Sequence, residues 1–273
     1  MNLLEEISKE INLPESSIYV MKDQLEDQLP LHQHPKSQIL LVEGGLAFLE
    51  TTNKQFYIPA RHYVWIPPDV AHHVKFNTSG ITITNIYFQD EKDLEHTFYG
   101  QIGIYPVTNL IWEMIRMAEQ WQGKIHLGDW RYEFLTTFKH TLPQISTHPL
   151  PIVLPTTANP RLIPLLKYLA AHLTEMLDMP AVAEKFGLSV RTLTRLFQLH
   201  LGTSFLQYIK LLRIVAAMEM LLNGDKNISE VAYAVGYSNI AAFSNSFQQS
   251  VNSRPSEFVR LRNKQKTAAS FHV

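Results

Sequence analysis

One pattern of residues occurs twice in the last third of the chain, and it constrains the fold more than any other feature. The first copy contains Val182, Ala183, Gly187, Ser189, Leu193, Arg195 and Phe197. The second copy contains Val231, Ala232, Gly236, Ser238, Phe243, Asn245 and Phe247. The offset between the copies is 49 residues from the valine to the serine and 50 residues from Leu193 onward. An internal repeat of this length indicates one supersecondary unit used twice.

Each copy predicts a helix, a tight turn and a second helix. In the first copy, apolar residues recur at helical spacing from 179 to 186, and Gly187 then allows the left-handed backbone of a sharp turn. The hydroxyl group of Ser189 is placed to cap the second helix, whose buried face would contain Leu193 and Phe197. The opposite face carries the polar side chains of Arg191, Thr192, Thr194, Arg195 and Gln198. A single copy would fit a plain helical hairpin, whereas two copies in matching register favour a pair of DNA-binding units.

The segment between the copies is predicted to be one long helix. Residues 205–223 contain no glycine or proline, and Asn223-Gly224 provides a stop signal. Such a helix would hold the two units at a fixed separation. We therefore expect an all-α C-terminal domain at residues 161–264, with helix-turn-helix units at about 179–200 and 228–250.

Residues 160–262 resemble the DNA-binding domain of the AraC/XylS family. The resemblance is carried by the two copies and by the segments RIVAAMEMLL (213–222), ISEVAYAVGYSN (228–239) and RPSEF (254–258). It implies a sequence-specific transcription regulator whose two recognition helices enter successive major-groove segments of promoter DNA. It also implies activation of transcription beside RNA polymerase, and it allows for a homodimer.

The second copy departs from the family pattern in the residues that would read DNA. Asn245 stands where the family commonly has arginine, and Ile240-Ala241-Ala242 is apolar. We therefore expect the first copy to carry most of the sequence reading and the second to contribute phosphate contacts and packing. The candidate DNA-binding residues are Ser189, Arg191, Thr192, Thr194, Arg195, Asn239, Ser244 and Asn245.

The distribution of charge agrees with DNA binding by the C-terminal half. The net charge is −1, but residues 1–155 carry 11 Lys and Arg against 18 Asp and Glu, whereas residues 156–273 carry 13 against 7. The resulting charges of −7 and +6 place the basic half where the repeat lies.

Three further features of the sequence indicate a soluble cytoplasmic protein. Cysteine is absent, which excludes disulfides and thiolate metal sites and suits a reducing compartment. The N-terminal residues are acidic and lack the cationic start and apolar core of a signal peptide. No apolar run reaches the length needed to cross a bilayer.

The N-terminal half is predicted to be a β domain followed by helices. Residues 30–90 contain short runs of β-branched and aromatic residues, separated by turn signals such as Gly44-Gly45. This spacing predicts a small antiparallel β-barrel or jelly roll. Apolar periodicity predicts helices between 107 and 142, packed either on the barrel or against a second subunit. We expect this domain to span residues 1–142.

A proline-rich segment separates the two halves. Five of the 15 prolines fall between Pro143 and Pro160, a density that opposes both helix and central strand. Residues 143–160 are therefore predicted to form a semi-rigid linker.

A histidine pattern inside the predicted barrel resembles the metal motif of the cupin family. It contains His32-Gln33-His34 and Gln38, followed by His72 after a proline turn. A His-x-His pair on a strand would point both rings to one face, as two metal ligands require. However, Gln38 stands where a cupin has glutamate, which removes the anionic ligand, and Arg61 replaces the usual glycine of the second motif.

We therefore favour a small-molecule sensor that needs no metal and no cofactor. Regulators of the AraC/XylS family often have a cupin-like sensor of this kind, which LHQHPKSQILLVEGG (31–45) and YVWIPPDVAHHV (63–74) resemble. Its histidines would line an effector pocket or hydrogen-bond to one another. The candidate effector-binding residues are His32, His34, Gln38, Trp65 and His72. A metal ion held by His32, His34 and His72 is the alternative.

Three functions are compatible with these patterns. The leading hypothesis is an effector-responsive transcription regulator that is not an enzyme. The second is a metal-dependent cupin enzyme with a DNA-binding tail, and it depends on the three histidines alone. The third is a scaffold that has lost base reading, suggested by the apolar flank of the second copy.

Overall fold

The computed structural model describes residues 9–12, 17–23, 29–76, 81–89, 96–150, 152–175 and 177–260. The chain divides into two compact units. Unit 1 contains residues 1–51 and 58–150, and unit 2 contains residues 52–57 and 151–273.

The N-terminal strands form antiparallel sheets, which confirms the predicted cupin-like β architecture. The strands are β1 (Ser17–Asp23), β2 (Ser37–Glu43), β3 (Leu46–Glu50), β4 (Lys54–Pro59), β5 (His62–Ile66), β6 (His73–Phe76), β7 (Thr82–Phe88), β8 (Gly103–Pro106) and β9 (Gly123–His126). With β10 (Val153–Pro155), the strand orders are β8-β5-β2-β7-β1-β9 and β10-β4-β3-β6.

The β architecture extends beyond the predicted limits of about 30–90. β1 pairs with both β7 and β9, and β8 pairs with β5, so strands outside those limits complete the larger sheet. β8 and β9 have four residues each, which is too short for alternation to mark them in the sequence.

One face of the larger sheet packs against two helices. Ile39 of β2 pairs with Trp65 and Ile86, and these side chains share one face. Helices α1 (Asn109–Ala118) and α2 (Trp130–Ile145) contribute buried side chains to the same core cluster. The helices thus pack on the sheet of their own unit. Within α1, Ile111 and Ile115 are buried, whereas Leu110 is 55% exposed.

The prediction that prolines keep residues 143–160 free of helix and strand is wrong at two points. Pro143 lies inside α2, and Tyr99 Oη donates a hydrogen bond to the carbonyl of Lys139, the group that a residue at 143 would normally engage. This contact satisfies the carbonyl that the proline leaves without an intrahelical donor. In unit 2, β10 pairs antiparallel with β4, and Pro155 is accommodated because it ends a strand at the sheet edge.

The C-terminal domain is helical, as the repeat predicted. Its helices are α3 (Leu162–Ala171), α4 (Met179–Lys185), α5 (Val190–Leu201), α6 (Phe205–Asn223), α7 (Ile228–Ala234) and α8 (Ile240–Val251). α6 is the predicted long helix between the copies, and Gly224 ends it in the left-handed conformation. The predicted domain limit at 264 lies outside the described residues. Among the described helices, none has the length and apolar character required to cross a membrane.

Candidate functional site

The first copy of the repeat is a helix-turn-helix whose turn is fixed by backbone hydrogen bonds. α4 ends where Gly187 adopts a φ of 62°, and the N–H of Leu188 donates to the carbonyl of Ala183 at 2.8 Å. This six-to-one bond is the Schellman arrangement, which satisfies a carbonyl at the helix end. Ser189 then caps α5, because its Oγ accepts from the N–H of Thr192 at 3.1 Å. Sequence and structure agree on each of these positions.

The second copy repeats the turn with one additional residue. Gly236 has a φ of 82°, and the N–H of Tyr237 donates to the carbonyl of Ala232 at 3.0 Å. The cap of α8 is Asn239, whose Oδ1 accepts from the N–H of Ala242 at 2.7 Å. Matching Ser238 with Ser189 is therefore wrong. The additional residue falls between the glycine and the cap, which is why the offset changes from 49 to 50.

The outer face of α5 presents two exposed arginine side chains. Arg191 and Arg195 are exposed, and neither makes an ion pair or hydrogen bond within the described part of the chain. The hydroxyl groups beside them are already engaged. Thr192 Oγ1 lies 2.9 Å from Ser189 Oγ, and Thr194 Oγ1 donates to the carbonyl of Val190 at 2.9 Å. The arginines are therefore the groups of α5 best able to contact bases or phosphates.

The outer face of α8 carries no charged side chain. Ile240 is 39% exposed, Asn245 is exposed, and Ser244 is half-buried. Asn239 is committed to its cap through Oδ1. Gln248, which is exposed on the same helix, was missed as a candidate. Its position one helical turn after Ser244 could have identified it.

Three of the predicted sensor residues converge in unit 1. One ring nitrogen of each of His32, His34 and His72 lies within 4.8 Å of the others. The ring centroids are 5.7 Å apart for His32 and His34 and 4.6 Å apart for His32 and His72. The expectation that the His-x-His pair lies on a strand is wrong. The pair lies in an irregular segment before β2, in which His32 forms an isolated β-bridge to His72.

The three rings share one hydrogen-bonding pattern. Nδ1 of His32 contacts the carbonyl of Pro30 at 2.9 Å, Nδ1 of His34 that of Lys36 at 2.7 Å, and Nδ1 of His72 that of Val70 at 2.7 Å. Because a carbonyl oxygen can only accept, the neutral rings of His32 and His72 carry the proton on Nδ1 and keep the lone pair of Nε2. His34 faces acceptors at both nitrogens, and the shorter contact, to Lys36, favours its proton on Nδ1 as well. The expectation that the histidines hydrogen-bond to one another is wrong, because Nε2 of His32 and Nε2 of His72 are buried without a hydrogen-bond partner.

A polar group on the sheet borders the cluster. The Oε1 of Gln38 lies 3.2 Å from Nε2 of His34, while Nε2 of Gln38 donates to Asn85 Oδ1 at 2.8 Å and to Tyr87 Oη at 3.3 Å. Asn85 and Tyr87 were missed in the sequence. Strand alternation could have identified them, because they lie two residues apart on β7 and share the face that holds Gln38.

Trp65, also predicted to bind effector, lies elsewhere. It pairs with Ile39, one residue along β2 from Gln38, and therefore occupies the opposite face of the sheet. Its indole N–H donates to the carbonyl of Tyr99 at 3.1 Å, and its side chain is 1% exposed within the core under the helices. Trp65 is therefore a core residue and does not share a site with the histidines.

Burial keeps the cluster uncharged at neutral pH. Loss of hydration lowers the pKa of His34 to about 4 and that of His72 to about 3, and the pKa of His32 is also lowered. Mutual repulsion among the three rings adds to the effect at His34 and His72. Neutral imidazoles with available Nε2 atoms are the form in which histidine binds metal ions or accepts hydrogen bonds.

Both halves of the chain match known domain families. Residues 18–96 match the AraC-like ligand binding domain, and residues 182–261 match a helix-turn-helix domain that spans both copies of the repeat. The chain belongs to the AraC family of transcriptional regulators. This AraC-family chain is accordingly a DNA-binding regulator of transcription with a ligand-binding domain and a helix-turn-helix domain.

The chain is similar to named regulators over most of its length. The transcriptional activator RhaS of Escherichia coli O6:H1 is 25% identical over 83% of this AraC-family chain and 86% of its own length. The transcriptional regulator NimR of Escherichia coli K12 is 24% identical over 84% of the chain and 82% of its own length. An AraC-type regulator structure from Chromobacterium violaceum is 30% identical, covering 38% of the chain and 94% of that protein, with a TM-score of 0.37.

Proposed function

We propose that the protein is an effector-responsive activator that reads its promoter mainly through α5. The observation that carries the proposal is the pair of exposed arginines, Arg191 and Arg195, on a helix held by a serine cap at one end and by left-handed Gly202 at the other. A helix fixed in this way can hold guanidinium groups against base edges without a large loss of conformational entropy on binding. The net charge of +6 on residues 156–273 favours the approach to DNA.

The other candidate residues have supporting roles in this proposal. Ser189, Thr192 and Thr194 lie in the first turns of α5, where hydroxyl groups and backbone N–H groups commonly contact phosphate. Asn239, Ser244 and Asn245 belong to α8, which would anchor the second helix-turn-helix unit with few specific base contacts.

The sensor part of the proposal depends on the family of the N-terminal domain. Residues 18–96 match the ligand binding domain, and the described histidines form its most distinctive polar cluster. A small molecule that binds there can change promoter binding only through different affinities for two arrangements of the protein. His32, His34, Gln38 and His72 remain effector candidates, whereas Trp65 is buried on the opposite face of the sheet.

The family supports four further parts of the proposal, namely activation, contact with RNA polymerase, homodimer formation and a cytoplasmic location. The name of RhaS as an activator supports the first of these. The alternative of a metal-dependent enzyme depends on the histidine cluster, and the relatives are named as regulators and activators of transcription.

The proposal is tested by selecting genomic DNA fragments with the purified full chain. Wild type is expected to enrich one motif of two short half-sites about one helical turn apart. Arg195→Ala should lose that motif, whereas Arg161→Ala, which removes an exposed arginine at the start of α3, should keep it. If Arg195→Ala enriches the same motif as wild type, α5 is not the main reader and the proposal fails.

A further inference from the structure

The histidine cluster has an unbalanced set of hydrogen-bonding groups. All three Nδ1 atoms contact carbonyl oxygens, so three Nε2 lone pairs remain when the rings are protonated on Nδ1, and that of His34 faces a further acceptor, Gln38 Oε1, at 3.2 Å. The Nε2 atoms of His32 and His72 are buried without a protein donor. A buried acceptor without a partner carries a free-energy cost, and one water molecule donates only two hydrogen bonds.

A divalent cation would satisfy all three lone pairs at once. Metal-bound histidines commonly donate their other ring N–H to a backbone carbonyl, which fixes the tautomer and the ring orientation. His32, His34 and His72 all have this second contact, two of them at 2.7 Å. The residues present therefore fit a metal ion, and the ligands are already in the neutral form that coordination requires.

The chemistry of the ligands selects the kind of metal. Imidazole nitrogen favours zinc, copper, nickel and iron over calcium and magnesium, which prefer oxygen. Three histidines also leave a coordination position for a further ligand. Gln38, whose Oε1 lies beside His34, can add a neutral oxygen, but it cannot add the negative charge of a carboxylate.

We propose that His32, His34 and His72 form a binding site for one zinc-like divalent transition-metal ion. The site joins two separate parts of unit 1, the segment that precedes β2 and the residue that precedes β6. This reverses the preference drawn from the sequence, in which the missing glutamate argued against a metal. The proposal does not depend on DNA recognition by α5.

The test uses untagged full-length protein that has been stripped with a chelator and titrated with Zn²⁺ alone. We expect one equivalent to bind, to raise the melting temperature and to remain after dialysis. Co²⁺ in its place should give the visible absorption of a low-coordinate nitrogen site. His34→Gln and His72→Gln should each lower the Zn²⁺ affinity by more than about 100-fold. His73→Gln, which changes the neighbouring half-buried histidine outside the cluster, should leave it unchanged.

Gln38→Glu provides a second test that does not require loss of a ligand. It restores an anionic group beside His34 and should raise the Zn²⁺ affinity by at least about 10-fold. This variant keeps the proposal testable if the histidine variants do not fold. Stripped wild type that binds no Zn²⁺, or that binds it as tightly as His34→Gln and His72→Gln, would overturn the proposal and leave water as the occupant of the cluster.

Discussion

The two helix-turn-helix units share a backbone design but differ in the surface that they present. Each turn has a left-handed glycine, a Schellman hydrogen bond and a side-chain cap, and each second helix ends in a left-handed residue. α5 exposes Arg191 and Arg195, whereas α8 exposes Ile240 and Asn245. The repeat therefore reproduces the backbone of the unit without reproducing the two exposed arginines.

The turns also differ in what lies around them. A Cβ atom added at Gly187 would have no neighbour within 4 Å, whereas one added at Gly236 would collide with the carbonyl oxygen of Leu173 and the guanidinium group of Arg213. The second unit is thus packed closely against α6 and the segment after α3. This difference agrees with the structural role proposed for the second unit.

The largest expected effect comes from alanine substitution of the two turn glycines. Gly236→Ala should lower the free energy of unfolding by about 3 kcal/mol, because left-handed strain adds to a clash with backbone. Gly187→Ala should cost about 1 kcal/mol, from strain alone. Thermal unfolding of the full chain, followed by helical circular dichroism, compares them. Equal destabilisation by the two substitutions would contradict the packing difference.

The next effect concerns DNA affinity. Arg195→Ala should lose about 1–3 kcal/mol of binding free energy on the selected operator, together with discrimination at one base pair. Asn245→Ala should lose less than about 0.5 kcal/mol, equally for all sequences. Gel-shift titrations on the operator and on single-base variants measure both, with Arg161→Ala as the control for loss of charge. A larger loss of discrimination for Asn245→Ala would reverse the assigned roles.

The helix caps test how the turns of the two helix-turn-helix units differ. Ser189→Ala and Asn239→Ala should each lower the free energy of unfolding by about 1 kcal/mol, because each removes the acceptor of a backbone N–H. Ser238→Ala should change it by less than about 0.5 kcal/mol. Denaturant titration of the three variants measures the differences. A cost at Ser238 that matches the cost at Ser189 would place the cap one residue earlier.

The smallest effect is expected at the ends of the second helices. Gly202 and Asn252 occupy equivalent positions, with φ angles of 63° and 54°. Asn252→Gly should stabilise the protein by about 0.5 kcal/mol, since glycine adopts this conformation without strain. Gly202→Asn should destabilise it by a similar amount. Melting temperatures of the two variants should therefore shift in opposite directions, and shifts of the same sign would refute the prediction.

The sequence was sufficient for features set by local chemistry. The positions of Gly187, Ser189 and Gly224 predicted a turn, a cap and a helix end, and all three are confirmed. The fold class and the regulator function were also predicted from the repeat and its family resemblance. The individual DNA-binding residues remain predictions.

Features set by distant contacts were not visible in the sequence. Pro143 continues a helix because Tyr99 supplies a donor from far along the chain. Trp65 was grouped with the histidines because the strand register that separates it from Gln38 emerges only in the folded sheet. Ser238 was matched with Ser189 although the cap of α8 is Asn239, because serine and asparagine both cap helices and the second turn has one residue more than the first.

The most direct test of unequal reading is a base-by-base substitution scan of the selected operator with the wild-type protein. Each base pair across both half-sites is changed in turn, and the loss of affinity is measured at fixed salt concentration. We predict penalties of about 1–3 kcal/mol concentrated in the half-site that contacts α5, with nearly uniform affinity across the half-site that contacts α8. Equal penalties in both half-sites would contradict the account and show that the second unit reads sequence without an arginine.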